Sequence, residues 1–366
     1  MNPIFNAERK YEEGAGSLFL QDTPGLLDTI NRPHPQINDL YKRLKSQDWD
    51  ENERDLSNCL VEFQTCSKTD YEIMIKTLAW QWETDSVAAH HLIPVVAPFV
   101  SSSDLWSLYV EIGKNEIVHG RTYSEIIKNS FVDPREVMKS VLAEKKALDR
   151  LEAVSNVFYY TRSIGLKLQT GEMKRYDPAA RDAIMLFVAS LLAMERVQFM
   201  PSFGITFGYA DSGRFMDIGA LVQKICNDEY NVHVQAGKLI LANELTTKEG
   251  RESFERITPM ISGVVNEIVQ SELTWNEYIF SGNKQLVGCN KSLMDEFVLF
   301  AATDVYQSLG IKNPNREIFE NPIGYMNDWV DMNNIQASAQ EEDPMNYLLG
   351  GFTSTAGDKL YSTDDL

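Results

Sequence analysis

The amino-acid sequence predicts an all-α protein, a bundle of long helices with an irregular N-terminal arm and a mobile C-terminal tail. Three observations carry that reading. Apolar residues recur at helical spacing through most of the chain. Capping residues stand where these patterns begin. No stretch alternates convincingly like a strand, and no internal repeat of solenoid period is visible.

Residues 1–36 hold Gly14, Gly16, Pro24, Gly25, Pro33 and Pro35 with little periodicity and are expected to form the arm. The helical body is expected over 37–340. Asp39–Lys45 reads as a short helix, with Trp49 at its end or in the turn after it. Thr69–His90 opens on capping residues and carries Ile73, Ile75, Leu78, Ala79 and Trp82. Ser102–Phe131 begins with an N-cap cluster, Ser-Ser-Asp-Leu-Trp, ahead of an apolar period. A helix over Pro134–Gln169 opens on Asp133-Pro134, a favoured entry. Asp177–Phe207 is apolar almost all round, which implies a central buried helix. A break over Gly208–Gly213 precedes a helix over Arg214–Asn243, and Lys248–Phe280 and Lys291–Leu309 complete the series. From about Glu341 to Leu366 the chain reads as a flexible acidic tail.

Composition narrows the function classes. The chain has 366 residues, ample for a large core, with 43% hydrophobic and 24% charged residues, the profile of an ordinary soluble globule. A formal net charge of −19 argues against a nucleic-acid partner, because phosphate binders gather Lys and Arg. Cys59, Cys66, Cys226 and Cys289 lack CxxC spacing and read as reduced thiols of a cytoplasmic protein. Asn2–Gly14 is too polar for a signal peptide, and the apolar run Ala183–Met194 is too short to span a bilayer, so no membrane association is expected.

The chemistry gathers around Glu116-Ile-Val-His119-Gly-Arg-Thr-Tyr123. Offsets of three, four and seven share a helix face, so a carboxylate, an imidazole and a phenol point the same way. Dinuclear metal sites in helical bundles take one carboxylate from each of two helices and a Glu-His pair from each of two others. Four helices here can supply that set in order: Asp85; Glu116 and His119; Glu195; Glu229 and His233. Every member has an ordinary alternative. A Glu-His pair is usually a solvated helix pair, Asp85 could meet a nearby base, and Glu195 precedes Arg196. The conjunction is stronger than its members, because only His119 and His233 of the five histidines have a Glu three or four positions upstream. Oxygen-rich ligation with two imidazoles suits iron or manganese better than zinc.

These motifs resemble a known family. Asp85-Ser86, Glu116 to Tyr123, Glu195-Arg-Val-Gln-Phe199, Asp228-Glu229 with His233, Gly288-Cys-Asn-Lys291, Asn321-Pro-Ile-Gly and the tail with Tyr361 resemble the radical-generating small subunit of class I ribonucleotide reductase. The resemblance runs from about Trp49 to Leu366 and implies a ferritin-like bundle with two iron ions per chain, manganese being the other option. It implies that Tyr123 becomes a stable tyrosyl radical when the reduced metals meet dioxygen, shielded by Phe199, Phe203 and Ile225. Trp49 and Asp228, linked through His119, would pass the oxidising equivalent outward, and Tyr361 would relay it to a large catalytic subunit that reduces ribonucleotides and docks on the tail 341–366. A homodimer is also implied. One departure stands out: the second pair is Glu229-Tyr-Asn-Val-His233, one residue longer than the family's Glu-x-x-His, with Val232 where the His would fall. A local π-bulge would restore the shorter geometry.

Two other functions fit parts of the pattern. A stand-alone di-metal oxidase would have no need of Trp49 or the Tyr361 tail, and a metal-storage or structural protein none of a shielded phenol. The chain has no Gly-rich phosphate cradle, since Gly351–Lys359 lacks the Gly-Lys-Ser/Thr ending, so nucleotides are expected to bind elsewhere.

Overall fold

The computed structural model describes residues 18–21 and 26–331. Its described residues form helices and connecting loops, with only two isolated bridges of extended chain. Phe19 pairs with Val100, and Leu18, Phe19 and Leu20 are buried, so this part of the expected arm belongs to the core.

The helices begin where a side chain can take up an orphan backbone N–H. Helix α1 (Pro35–Ser46) starts on Pro35 at its first position, four residues before the sequence reading placed it. A short α2 (Cys59–Thr65), not expected from the sequence, follows the loop that carries Trp49. Ser67 and Asp70 cap α3 (Lys68–Val96) reciprocally: the Asp70 N–H donates to Ser67 Oγ, which donates to the Asp70 carboxylate. This helix runs past His90 because Pro94 lies in its last turn, where Ala97 N–H to Ile93 O still closes the ladder.

Ser102 caps α4 (Ser103–Ser130). Gly113 brings α4 close against α3, since a Cβ there would lie 2.9 Å from Ile93 Cγ1. The single helix expected over Pro134–Gln169 is two, α5 (Pro134–Leu142) and α6 (Lys145–Thr170), because the Glu144 side chain accepts from Lys146 N–H and starts a new helix.

The central apolar helix is α7 (Pro178–Ala193), a π-helical turn over Met194–Phe199, and α8 (Met200–Asp211). It continues through Gly208, where a break was expected. Gly208 is there for space: a Cβ would meet the Tyr325 hydroxyl at 2.9 Å. The chain turns at Gly213 instead, at φ +80. Helix α9 (Met216–Asp228) leads into a second π-helical turn, Glu229–His233, and then α10 (Val234–Glu244). The π-bulge expected from the Glu229–His233 spacing is therefore present. Helices α11 (Lys248–Ile279), α12 (Lys291–Leu309) and α13 (Tyr325–Val330) complete the described chain. Residues 178–211 are apolar and long enough to cross a membrane, but that run is the buried centre of this bundle.

Candidate metal centre

Helices α3, α4, the π-turn after α7 and the π-turn after α9 each bring acidic side chains to one place. Asp85, Glu116, Glu195 and Glu229 are all at most 2% exposed, with His119 and His233 among them. Four carboxylates in an apolar core would be prohibitively costly without positive charge to offset them. The ordinary alternatives are absent. Both oxygens of Asp85 lack a hydrogen-bond partner among the described residues. Arg196 turns away from Glu195 to bond Asp304 at 2.8 Å.

The groups form two sets with a shared member. Asp85, Glu116 and His119 offer ligand atoms within 4.8 Å of one another, and so do Glu116, Glu195, Glu229 and His233. Glu116 Oε2 lies 3.9 Å from His119 Nδ1, and its Oε1 lies 3.4 Å from His233 Nδ1. Glu229 repeats the pattern, with Oε1 3.0 Å from His119 Nδ1 and Oε2 2.6 Å from His233 Nδ1. Both carboxylates thus reach between the two imidazoles. The Nδ1 atoms make no aligned hydrogen bond despite these short distances. Donor atoms packed this closely without aligned hydrogen bonds between them fit a site for cations.

The titration behaviour has the same cause. Burial, then Glu116, raises the Asp85 carboxyl well above its ordinary range, and burial with Glu229 and Glu116 does so for Glu195. Burial and Glu229 also raise Glu116. Burial pushes Glu229 up as well, but the imidazoles beside it outweigh that and hold it below the carboxylate range. Burial opposes the charge on His233, yet Glu229 outweighs it and the imidazole is pushed up to about 10. Burial opposes the charge on His119 as well, but Asp228 behind the ring and the nearby carboxylates of Glu229 and Glu116 outweigh it and raise the imidazole.

Behind the imidazoles lies a hydrogen-bonded layer. One Asp228 oxygen, Oδ2, faces His119 Nε2 at 3.2 Å, Asn115 Nδ2 at 2.9 Å and Trp49 Nε1 at 2.8 Å. Asn115 Oδ1 lies 3.1 Å from His233 Nε2. Each ring is therefore fixed from behind with Nδ1 facing the cluster. Trp49 also stacks on His119, ring centroids 6.0 Å apart. Asn115 was not found from the sequence. It precedes Glu116, but its partners are 113 and 118 residues away, which no local pattern announces.

Tyr123 is fully buried, and its hydroxyl has no partner among the described residues. Burial and then Asp85 push the phenol well above its ordinary pKa, so it is held as the neutral O–H. Phe199, Phe203 and Ile225 are buried too, with Phe199 and Phe203 stacked at 5.8 Å. Tyr361 lies outside the described residues.

The family model described as "Ribonucleotide reductase, small chain" matches residues 28–322. The subunit beta of ribonucleoside-diphosphate reductase from Buchnera aphidicola is 25% identical, over 87% of each chain. Among solved structures, the ribonucleotide reductase R2 subunit from Clostridium botulinum aligns with a TM-score of 0.73 at 16% identity, covering 90% of this chain and 98% of that one. Streptococcus sanguinis dimanganese(II)-NrdF aligns with a TM-score of 0.62 at 16% identity, covering 82% and 96%.

Proposed function

The chain belongs to the ribonucleotide reductase small-chain family, and from that premise we propose that it stores an oxidising equivalent at Tyr123 and lends it to a large catalytic subunit. The observation that carries this is the pair of ligand sets joined at Glu116, with a buried, unpartnered phenol on the same helix. Asp85, Glu116, His119, Glu195, Glu229 and His233 would hold two ions of iron or manganese. When bound and reduced, those ions would react with dioxygen to supply a one-electron oxidant.

The chain's own groups would do the rest. Because burial keeps Tyr123 protonated, its oxidation must release a proton with the electron. Phe199, Phe203 and Ile225 exclude water from the oxidised ring. His119, Asp228 and Trp49 form a continuous contact from the cluster to the half-buried Trp49 loop. Tyr361 and the tail 341–366 are assigned to the large subunit, in the cytoplasm. Exposed Val110 and Ile117, seven residues apart on α4, support a homodimer.

The test is spectroscopic. Adding ferrous iron and air to metal-free protein should produce a tyrosyl signal, and Tyr123→Phe should abolish it. A signal that persists in that variant reassigns the radical. Metal analysis of protein made under native conditions distinguishes iron from manganese. A chain lacking 351–366 should lose ribonucleotide reduction with added large subunit yet keep the tyrosyl signal; retained reduction would remove the tail from the reading.

A further inference from the structure

Two tryptophans lie near the metal cluster, and their surroundings are opposite. The Trp49 indole N–H donates to Asp228 at 2.8 Å. Trp80 is fully buried, and its N–H has no acceptor among the described residues. Its ring centroid lies 5.2 Å from that of Phe199, four residues beyond Glu195, so Trp80 stands one ring outside the shielded pocket. Arg150 lies over this indole, Cζ 3.5 Å from the ring centroid, with the Trp275 centroid at 4.8 Å from the same guanidinium. The guanidinium is itself buried. It is held by both oxygens of Glu272, by Gln198 O at 2.9 Å and by Ser202 Oγ at 3.1 Å.

Indole is as natural a victim of a strong oxidant as phenol. Losing an electron puts positive charge on the ring, and the product is stabilised by passing its N–H proton to a base. At Trp49 that base is present. With metals bound, they would supply the oxidant that takes the electron, and the indole proton would pass along the existing hydrogen bond to Asp228. At Trp80 no base among the described residues accepts the indole proton, and it is the cationic end of the Arg150–Glu272 pair that lies against the ring, where it repels the positive charge that would form. The same cation favours the neutral ring, and low-dielectric surroundings strengthen the repulsion. Lys224 also lies over Trp49, but at 6.0 Å, bonded to Glu53 and near solvent, where screening weakens its field.

We propose that Arg150 keeps Trp80 reduced, and so confines the oxidising equivalent to Tyr123 and the Trp49 exit. This rests on the reading of Tyr123 given above, and goes beyond it by assigning a residue that closes the wrong exit. Arg150 touches neither metal nor substrate; it acts through Trp80.

The experiment removes the charge without leaving its partner alone in the core. Arg150→Met with Glu272→Met, and Arg150→Gln with Glu272→Gln, both neutralise the pair; the second retains polar contacts if the first does not fold. Ferrous iron and air are added to each, with electron-spin resonance of samples frozen during assembly. Peptide mass spectrometry follows repeated loading. The wild type should show the tyrosyl signal, intact Trp80 and no tryptophan signal beyond that of Trp49. The neutralised pairs should add a second tryptophan signal, with a tyrosyl yield reduced severalfold and oxidised Trp80 in the peptides. Adding Trp80→Phe should remove the added signal and restore the tyrosyl yield. A neutralised pair with full tyrosyl yield and intact Trp80 overturns the proposal and leaves the Tyr123 reading standing, as does an added tryptophan signal that survives Trp80→Phe. A wild type with no tyrosyl signal overturns both.

Discussion

Asp228 and Asn115 show how few atoms orient this centre. A single oxygen of Asp228 meets an indole, an amide and an imidazole, and the other end of that amide holds the second imidazole. The two histidines therefore share one brace. Asn115→Ala would free the His233 ring, whose Nε2 has Asn115 as its partner, and take one of the donors from the Asp228 oxygen that holds His119. Metal affinity should fall roughly 10- to 100-fold, the usual effect of removing an outer partner of a ligand. Chelator competition measures it. Affinity unchanged within error would mean the rings are held by packing alone. Asp228 was legible because it adjoins Glu229 in a recognisable motif. Asn115 was not, because its role exists only once α4 and α9 are side by side.

The two π-helical turns place two of the four carboxylates. Glu195 lies in Met194–Phe199 and Glu229 in Glu229–His233. A π-turn accommodates one extra residue while the flanking helix keeps its register. That explains how a Glu-His spacing of four serves where three is the usual pattern. Deleting Asn231, half-buried in this turn, should convert it to ordinary α-helix and leave α10 in register. The shortened chain should keep its helical circular-dichroism signal and bind metal within about tenfold of wild type. Loss of folding would show that α10 follows the inserted residue. The first π-turn carried no sequence signal of this kind. Its Gln198 carbonyl is taken by Arg150 and its Gln198 amide donates to Arg150 O, so a residue of α6 supports the distortion. Helix ends were misjudged for similar reasons, at Pro94 and Gly208, where a neighbouring helix or a late position in the turn overrides local propensity.

Across the whole molecule the central problem is buried charge. The cluster combines four carboxylates and two imidazoles in a core that is mostly apolar. Without metal, the raised imidazoles carry protons at neutral pH, and three of the carboxyls are shifted toward their neutral forms. Metal needs these groups deprotonated. The sign follows: the free site holds more protons than the loaded one, so metal affinity should rise with pH through the neutral range. Loading a weakly buffered sample with ferrous iron under nitrogen should release about two protons or more per chain. Loading with no acidification would mean that metal binds outside this cluster.

The helical class, the order of the four helices that carry the cluster, the cluster's residue types and the phenol one turn from His119 were all set by local spacing. Period, caps and intervals of three, four and seven are properties of neighbouring residues, and the linear chain states them directly. The fold alone decided that Glu116 and Glu229 each reach both imidazoles, that Arg196 leaves Glu195 for Asp304, that Asn115 braces two rings, and that Arg150 covers Trp80. Apart from the one-turn contacts Glu116–His119 and Glu229–His233, they join residues tens to more than a hundred positions apart, so they depend on how helices pack rather than on how any one helix is written.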